Sequence, residues 1–318
     1  MPRHYLDFEQ PIADLESKID ELSLLSESAG AGDFEAELTA LRERAAGLRR
    51  EAYASLDPWR KTQVARHPDR PHASDYIAGL IDDYTELHGD RRFGEDSAII
   101  GGLGRFRGAP VVVMGHEKGR DTQSRLKHNF GLARPEGFRK AVRLMDLADR
   151  FGLPVLSFVD TSGAYPGAVS EERGVAEAIA RSTERGLTLG VPMIATVTGE
   201  GGSGGALALA AANRVLILEH AIYSVISPEG CAGIIWRDRA KAPEAAAAMK
   251  ITAQDLIGFG VVDRIVPEPE GGAHADPAAA VAAVGDALAE ELAALEPLHA
   301  ETLRRGRADR FLRIGAES

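Results

Sequence analysis

Residues 199–230 read GEGGSGGALALAAANRVLILEHAIYSVISPEG, and this stretch carries the strongest indications of both fold and chemistry. A glycine run leads directly into an apolar segment, which predicts a helix over 204–212, and the apolar runs at 215–218 and 221–225 predict strands. The first N–H groups of such a helix lack acceptors within the helix and lie at the positive end of its dipole. Glycine also lets a ligand approach them closely. The segment therefore predicts a backbone site for an anion or a developing oxyanion.

On the N-terminal side of this stretch, strand-like and helix-like runs alternate. Near-continuous apolar strands are predicted at 109–115, 153–159 and 191–197, and amphipathic helices at 136–151 and 175–189. Buried strands that alternate with helices are typical of an α/β domain whose sheet is covered on both faces. An alanine-rich helix is predicted from 276 to about 295, on the C-terminal side.

The N-terminal region has a different pattern. Apolar residues recur at helical spacing in two arms, on either side of a Gly-Ala-Gly break at 30–32, and predict an αα-hairpin that packs on its own core or, as we favour, on a partner. We expect four regions: a helical hairpin over 1–56, a linker over 57–96, an α/β domain over 97–296 and a polar tail over 297–318.

A second glycine-bearing turn, DTSGAYPG at 160–167, follows the strand predicted at 153–159. Because the carboxyl ends of parallel strands meet at one edge of a sheet, the two turns can form one site. Both can equally be tight connections that bind no ligand. Glu200 is a candidate general base, and it can equally cap the helix or lie in solvent.

The glycine run also matches a dinucleotide-binding pattern. Gly199, Gly201 and Gly204 fit G-x-G-x-x-G, and Glu219 follows twenty residues after Gly199, where the ribose-binding acid of such sites lies. An NAD-dependent oxidoreductase is therefore one alternative. However, the usual dinucleotide unit opens its domain, whereas here a long α/β region precedes it.

The same run matches the G-x-S-x-G nucleophile elbow at Ser203, with Asp263 and His274 following in the order that a hydrolase triad requires. His274 lies in a loose polar stretch, which weakens this alternative. A non-catalytic scaffold that binds a partner through the 12–52 hairpin is a third possibility.

Composition limits the remaining classes. The chain is 44% hydrophobic and 27% charged with a net charge of −11, which is ordinary for a globular protein and argues against nucleic acid as the main partner. No stretch approaches the eighteen apolar residues of a membrane span. The N-terminus lacks the apolar region of a signal peptide, and the single cysteine, Cys231, predicts neither a disulfide nor a cysteine-rich metal site, so we expect a cytoplasmic protein without metal.

A basic segment between Lys118 and Arg143 departs from the acidic balance of the chain. It carries few acids, among them Asp121 and Glu136. It is either a solvated helix face or a wall that attracts an anionic ligand such as a phosphate or a carboxylated cofactor.

Beyond these patterns, residues 199–230 resemble the core signature of the crotonase superfamily, in which glycines before an alanine-rich helix form part of an acyl-CoA site. More narrowly, the chain resembles the acetyl-CoA carboxylase carboxyltransferase alpha-subunit family. The resemblance is carried by segments spread from residue 6 to residue 277, which include ARHPDRP, GHEKGRDT, RLMDLADRFGLPVLSFVDTSGAYPG, VISPEGCAGIIWRD and IVPEPEGGAHADP. It implies an α/β, crotonase-like (ClpP/crotonase) βαβ superhelix domain preceded by the αα-hairpin.

The resemblance also implies a reaction, its cofactor and its partners. A carboxyl group moves from biotin, held covalently on a separate carrier protein, to acetyl-CoA and gives malonyl-CoA, the first committed step of fatty acid synthesis. The implied partners are a beta subunit in an α2β2 assembly, the biotin carboxyl carrier protein and biotin carboxylase. This chain would be active only together with the beta subunit.

The family pattern implies site residues that act through the backbone. We expect the N–H groups around Gly204 and Gly205 to donate to the oxyanions, with Gly163 and Ala164 lining the same pocket. A β-branched residue at Gly204 or Gly205 should then abolish transfer without unfolding the protein. The residues expected to bind substrate are Gly201, Gly202, Ser203, Tyr165, Lys118 and Arg120. Ser162 stands where the family more often has proline, and this loosens the first turn without removing a backbone donor.

Overall fold

The computed structural model describes residues 4–29 and 34–316. Its strands are β1 (Ile81–Glu86), β2 (Ile99–Phe106), β3 (Ala109–His116), β4 (Val155–Thr161), β5 (Met193–Gly202), β6 (Arg214–Leu218), β7 (Ile222–Ser224) and β8 (Arg264–Val266). Its helices are α1 (Gln10–Ala29), α2 (Glu35–Ala54), α3 (Pro58–Ala65), α4 (Ala73–Leu80), α5 (Thr122–Lys127), α6 (Pro135–Phe151), α7 (Ala168–Glu172), α8 (Val175–Thr188), α9 (Ser203–Ala210), α10 (Pro228–Ile235), α11 (Ala242–Met249), α12 (Ala253–Gly258), α13 (Pro277–Leu295) and α14 (Ala300–Arg313). The predicted helices at 136–151, 175–189, 204–212 and 276–295 are confirmed to within two residues.

All eight strands form one mixed sheet in the order β1-β2-β3-β4-β5-β6-β8, and β7 pairs with β5 off this path. The β1–β2 and β2–β3 pairs are antiparallel, and β3, β4, β5, β6 and β8 run parallel. Strands β4 and β5 are buried along their whole length, as their continuous apolar sequences predict. The α/β fold class is therefore confirmed.

Strand β5 continues five residues beyond its predicted end at 197, through most of the glycine run. Its first half pairs with β6, and its last residues, from Glu200 to Gly202, pair with β7. The glycines before Ser203 are therefore strand residues, and helix α9 begins directly after them. This arrangement places the start of α9 at the carboxyl end of the sheet, beside the turn that follows β4.

Helices cover the sheet in two groups. Helices α6, α8 and α9 contact one another and strands β2 to β5, while α4 and α13 contact each other and further strands of the same sheet. The main core lies between these layers and contains fully buried residues such as Phe138, Leu144, Phe158 and Ile194. The N-terminal arms form helices α1 and α2, which pack on each other. The break predicted at 30–32 lies outside the described residues.

The prediction of a linker over 57–96 is wrong. This segment contains helices α3 and α4 and the edge strand β1. Tyr76 and Val64 are fully buried there, and Arg70 is 1% exposed. The prolines and arginines that suggested a linker instead cap helices and form buried ion pairs.

The prediction of a polar tail over 297–318 is wrong for the described residues up to 316. Helix α14 packs on α8, and Leu303 is buried. Arg307 is fully buried, and its guanidinium donates to main-chain carbonyls that follow α8, those of Leu189 (2.9 Å) and Val191 (3.0 Å). A charged side chain thus serves as a core hydrogen-bond donor, which composition alone does not reveal. Within the described ranges, no helix is long and apolar enough to span a bilayer.

Candidate active site

The two glycine turns lie directly against each other at the carboxyl end of the sheet. A Cβ atom on Gly205 would lie 2.6 Å from the carbonyl carbon of Gly163 and 2.9 Å from the nitrogen of Ala164. A Cβ atom on Gly202 would collide with the main chain of Ser162. Only glycine allows this approach of backbone to backbone. The structure therefore brings together the residues from both turns that the sequence singled out.

Helix α9 begins in a conformation that leaves its first turn open. Ser203 opens the helix with φ of 53°, a left-handed value that non-glycine residues rarely adopt. Among the described residues, no side chain caps this helix. The first N–H groups of a helix have no acceptor within it, so the amides of Gly204 and Gly205 can serve an external acceptor.

Two cavities flank these turns. One, of about 620 Å³, is lined by Ser203 and Gly204 together with mostly apolar side chains such as Leu207, Ile226 and Met249. The other, of about 420 Å³, is lined by Ser162 of the first turn and by polar side chains that include Arg66, His72, Lys118, Arg125 and Asp160. The turns thus separate an apolar space from a charged one.

Two amides of the first turn are already bonded within the fold. The N–H of Gly163 donates to the hydroxyl oxygen of Thr161 at 3.1 Å, and the N–H of Tyr165 donates to the carbonyl of Ala133 at 2.9 Å. Gly163 therefore allows the start of α9 to approach closely, and its own N–H is not available to a ligand. The Arg134 guanidinium lies over the Tyr165 ring, with its Cζ 4.7 Å from the ring centroid.

The predicted substrate-binding side chains are divided between different places. Lys118 lies in the charged cavity beside Ser162, where its Nζ is 2.5 Å from Oδ1 of Asp160. Arg120 pairs with Asp75 and lines a separate cavity that does not include the glycine turns. Gly201 lies within β5, against the ring of Tyr223.

In the second half of the basic segment between Lys118 and Arg143, three side chains bind groups within the fold. Arg139 pairs with Asp90 and Glu136, and Lys140 pairs with Glu95. Arg143 donates to main-chain carbonyls, among them that of Gly89. These residues hold helix α6 to the loop before β2. The second half of the segment therefore has a structural role, whereas Lys118 and Arg125 in the first half line the charged cavity.

Glu200 is not placed as a general base. Its carboxylate is buried and accepts two hydrogen bonds from Arg66, at 2.6 and 3.0 Å, and Arg66 also pairs with Glu229. Sequence reasoning missed Asp160, His72 and Arg66 as parts of this region. The only available signal was an acid directly after the apolar run at 153–159, and this acid, Asp160, lies near the end of β4.

The geometry also disfavours a hydrolase triad. His274 stacks on His67 with ring centroids 3.7 Å apart, and Asp263 binds Arg310 and the N–H of Val215. The two residues therefore have other partners and do not form a relay to Ser203.

Glu9, His67 and His274 place potential metal-ligand atoms within 4.8 Å of one another. Face-to-face imidazoles cannot direct both lone pairs at one ion, and both nitrogens of His67 already bond to main-chain atoms, the carbonyl of His4 and the N–H of Asp69. This cluster is a contact between the N-terminal region and the core.

A buried histidine lies beneath the site. Burial lowers the pKa of His116 to about 4, since the imidazolium would be removed from water. The unfolded chain takes up this proton near pH 6.5, whereas the folded chain does so only near pH 4. The free energy of unfolding should therefore fall as pH falls through this window.

We expect His116 to contribute a loss of about 1.4 kcal/mol per pH unit between these two pKa values. Urea unfolding at pH 7, 6 and 5 measures the slope. His116→Gln should reduce this slope by the amount that corresponds to about one proton. His88→Gln, a matched change at an exposed side chain, should leave the slope unchanged. An unchanged slope in His116→Gln would contradict the assignment.

Comparison with known proteins shows the family of this chain. The family model described as acetyl co-enzyme A carboxylase carboxyltransferase-like matches residues 5–315. A Caulobacter sp. (strain K31) protein, named acetyl-coenzyme A carboxylase carboxyl transferase subunit alpha, is 71% identical over 317 residues, 100% of this chain and 99% of its own length. The chain belongs to the acetyl-CoA carboxylase carboxyltransferase alpha-subunit family. A relative of the same name from Methylobacterium nodulans is 64% identical over 313 residues, 98% of this chain and 99% of its own.

Solved structures agree with the crotonase-like fold of this family. The structure of transcarboxylase 12S with methylmalonyl-coenzyme A and methylmalonic acid bound has a TM-score of 0.54 at 23% identity, covering 67% of this chain and 41% of that one. One chain of a Pseudomonas malonate decarboxylase hetero-tetramer in complex with coenzyme A has a TM-score of 0.58 at 19% identity, covering 78% of this chain and 97% of that one. The predicted crotonase-like fold is confirmed.

Membership in the carboxyltransferase alpha-subunit family overturns the dinucleotide and scaffold alternatives. The structure gives the physical reason for the first: Gly199 and Gly201 are strand residues of β5, Gly204 lies in α9, and no phosphate-binding loop separates them. Glu219, the candidate ribose acid, accepts a hydrogen bond from the N–H of Glu268 within the fold.

Proposed function

We propose that this chain supplies one oxyanion-stabilising half of an acetyl-CoA carboxylase carboxyltransferase, which transfers a carboxyl group from biotin on a carrier protein to acetyl-CoA and forms malonyl-CoA for fatty acid synthesis. One observation carries the proposal: the open first turn of α9 is held by backbone contact against Gly163 and Ala164. Amides fixed in this way need no reorganisation when negative charge develops on a bound oxygen. Donors of this kind typically contribute on the order of 10²–10³ in rate.

The residues present fit such ligands. The cavity at Ser203 and Gly204 is mostly apolar and large enough, at about 620 Å³, for a compact ring or an acyl thioester. When bound, carboxybiotin supplies the carboxyl group. The amides of Gly204 and Gly205 would hold the oxygen that becomes negative, and the surrounding apolar side chains would exclude water. Ser203, Gly202 and Gly201 would shape the approach through the backbone.

We further propose that the chain acts in the cytoplasm with a beta subunit in an α2β2 assembly, and with biotin carboxyl carrier protein and biotin carboxylase. The relatives are named as alpha subunits, which supports a partner. Large apolar side chains near α10 and α12 are also exposed, with Ile234 at 73%, Ile235 at 62% and Phe259 at 59%. Exposed apolar side chains are typical of a protein–protein contact where they form one patch.

The test is to purify the chain alone and together with a co-expressed beta subunit. Each sample receives acetyl-CoA and carboxylated carrier protein, and malonyl-CoA is measured. We expect product from the complex and none from the chain alone. Absence of product from a folded complex would contradict the reaction, and full activity from the isolated chain would contradict the shared site.

A further inference from the structure

Strand β5 contains a bulge directly before the glycine turn. Between two paired positions, β4 advances two residues, from Val159 to Thr161, while β5 advances four, from Val197 to Gly201. The extra residues leave main-chain groups outside the ladder, and these groups need other partners. The bulge also marks the point where β5 changes its neighbour from β6 to β7.

Charged side chains form hydrogen bonds with the main-chain groups that the bulge leaves outside the ladder. The N–H of Glu200 donates to Oδ1 of Asp160 at 2.9 Å, and the carbonyl of Thr198 accepts two hydrogen bonds from Arg70, at 2.9 and 3.1 Å. Oδ1 of Asp160 also accepts from Nζ of Lys118 at 2.5 Å. Asp160 is itself the residue before Thr161, so one carboxylate joins the first glycine turn to the strand that leads into the second.

The bulge leaves no space between Asp160 and the main chain. A Cβ atom on Gly199 would lie 2.5 Å from Oδ1 of Asp160 and 3.0 Å from the carbonyl of Ala65. The Asp160 carboxylate therefore fixes the position of the β5 main chain at Gly199. Glycine at 199 is needed for the carboxylate to approach.

Asp160 remains charged. Burial alone would raise its pKa, but the Lys118 ammonium and the nearby His72, whose Nδ1 is 3.9 Å from Oδ2, together hold the pKa of Asp160 well below its usual range. Lys118 is partly exposed at the wall of the charged cavity, with 20% of its side chain accessible. The Asp160–Lys118 ion pair is therefore buried at the carboxylate and borders the charged cavity at the ammonium.

We infer that Asp160 and Lys118 are positioning residues, whose ion pair holds the β5 bulge so that the first-turn amides of α9 lie against Ser162, Gly163 and Ala164. Neither side chain touches the reacting atoms in this role. The inference rests on the proposed function, because the amides it positions are the proposed oxyanion donors. It predicts that loss of the pair lowers turnover and leaves substrate binding nearly unchanged.

The experiment compares Asp160→Asn, Lys118→Met and the double variant, each in the complex with the beta subunit. A displacement of about 1 Å at reacting groups can reduce the rate on the order of 10²-fold, so we expect each single variant to lose kcat on that scale. The KM for acetyl-CoA should change by less than about twofold. The double variant should retain more activity than either single one, because it leaves no unpaired charge in the buried site.

Further variants separate positioning from general destabilisation. Lys118→Arg keeps the charge and should recover part of the kcat that Lys118→Met loses. Gly199→Ala should lower kcat as Asp160→Asn does, and its matched control, Gly47→Ala in the open middle of α2, should not. Rates are expressed per folded complex, and hydrogen exchange of the Glu200 amide, which donates to Asp160, should accelerate in Asp160→Asn.

Three results would overturn the inference. One is a normal kcat per folded complex in Asp160→Asn and Gly199→Ala, even if the melting temperature falls. Another is a rise in KM alone in Lys118→Met, which would make Lys118 a substrate ligand. The last is unaltered exchange of the Glu200 amide in Asp160→Asn. Inactivity of the wild-type complex would instead contradict the proposed function, so the two failures are distinguishable.

Discussion

Replacement of Gly205 by alanine is expected to reduce carboxyl transfer by the assembled enzyme on the order of 10²–10³-fold. The added Cβ would lie 2.6 Å from the carbonyl carbon of Gly163 and 2.9 Å from the nitrogen of Ala164, and both are main-chain atoms that cannot rotate away. The first turn of α9 must therefore move away from the first glycine turn. The measurement is the rate of malonyl-CoA formation by the complex, normalised to folded protein.

A second glycine keeps this prediction testable if Gly205→Ala folds poorly. At Gly204 an added Cβ meets only the side chain of Ile179, at 3.2 Å, which can adjust. The Gly204→Val variant should thus fold. It should still lose carboxyl transfer, because Gly204 lines the apolar cavity and the branched side chain would occupy part of that cavity. The structure revises the expectation for Gly205, where even alanine forces the backbone to shift. Normal turnover in a folded Gly204→Val complex would contradict the role of this turn.

Replacement of Arg70 by methionine is expected to lower the free energy of unfolding by about 3–5 kcal/mol. Arg70 and Glu268 form a bidentate pair with both bonds at 2.8 Å, and their side chains are 1% and 0% exposed. Arg70 also donates to the carbonyl of Thr198 in the β5 bulge. Its loss would leave a buried carboxylate and a buried carbonyl without their main donor.

Chemical unfolding of the purified chain measures this effect. The matched control is Arg181→Met, which removes a surface pair with Glu177 whose side chains are 65% and 63% exposed, and should have a much smaller effect on the free energy of unfolding. Arg70 also lowers the pKa of Glu268 to about 2, against the effect of burial. The stabilisation by the Arg70–Glu268 pair is thus complete above the pKa that Glu268 has in the unfolded chain, near 4.5. It is lost as pH falls toward 2, where Glu268 becomes protonated in the folded chain. Equal stability of the two variants would contradict this assignment.

The sequence predicts those elements whose hydrophobic pattern is strong. Strands β3 and β4 and the first half of β5 are continuous apolar runs, and they were predicted close to their observed positions. Strand β1 reads IDDYTE and lies at the sheet edge with four of its six residues exposed, so its pattern resembles a loop. Strand β8 is three residues long and is recognised only through its pairing with β6.

The missed features of the site depend on contacts between distant residues. Arg70 and Glu268 are 198 positions apart, and no local pattern relates them. The bulge in β5 likewise arises because the strand pairs with β4 and then with β7, which is a property of the assembled sheet. The meeting of the two glycine turns was predictable, since both follow neighbouring parallel strands. The side chains that hold them were not.

The central claim is that peptide N–H groups of Gly204 and Gly205 bind the oxygen on which charge develops. The most direct measurement is a crystal structure of the complex with a stable enolate analogue of acetyl-CoA or with a carboxylated biotin analogue. The account predicts a ligand oxygen about 2.7–3.1 Å from at least one of these two nitrogens. A ligand oxygen held only by side chains, with both amides bonded to carbonyls of the same chain, would contradict it.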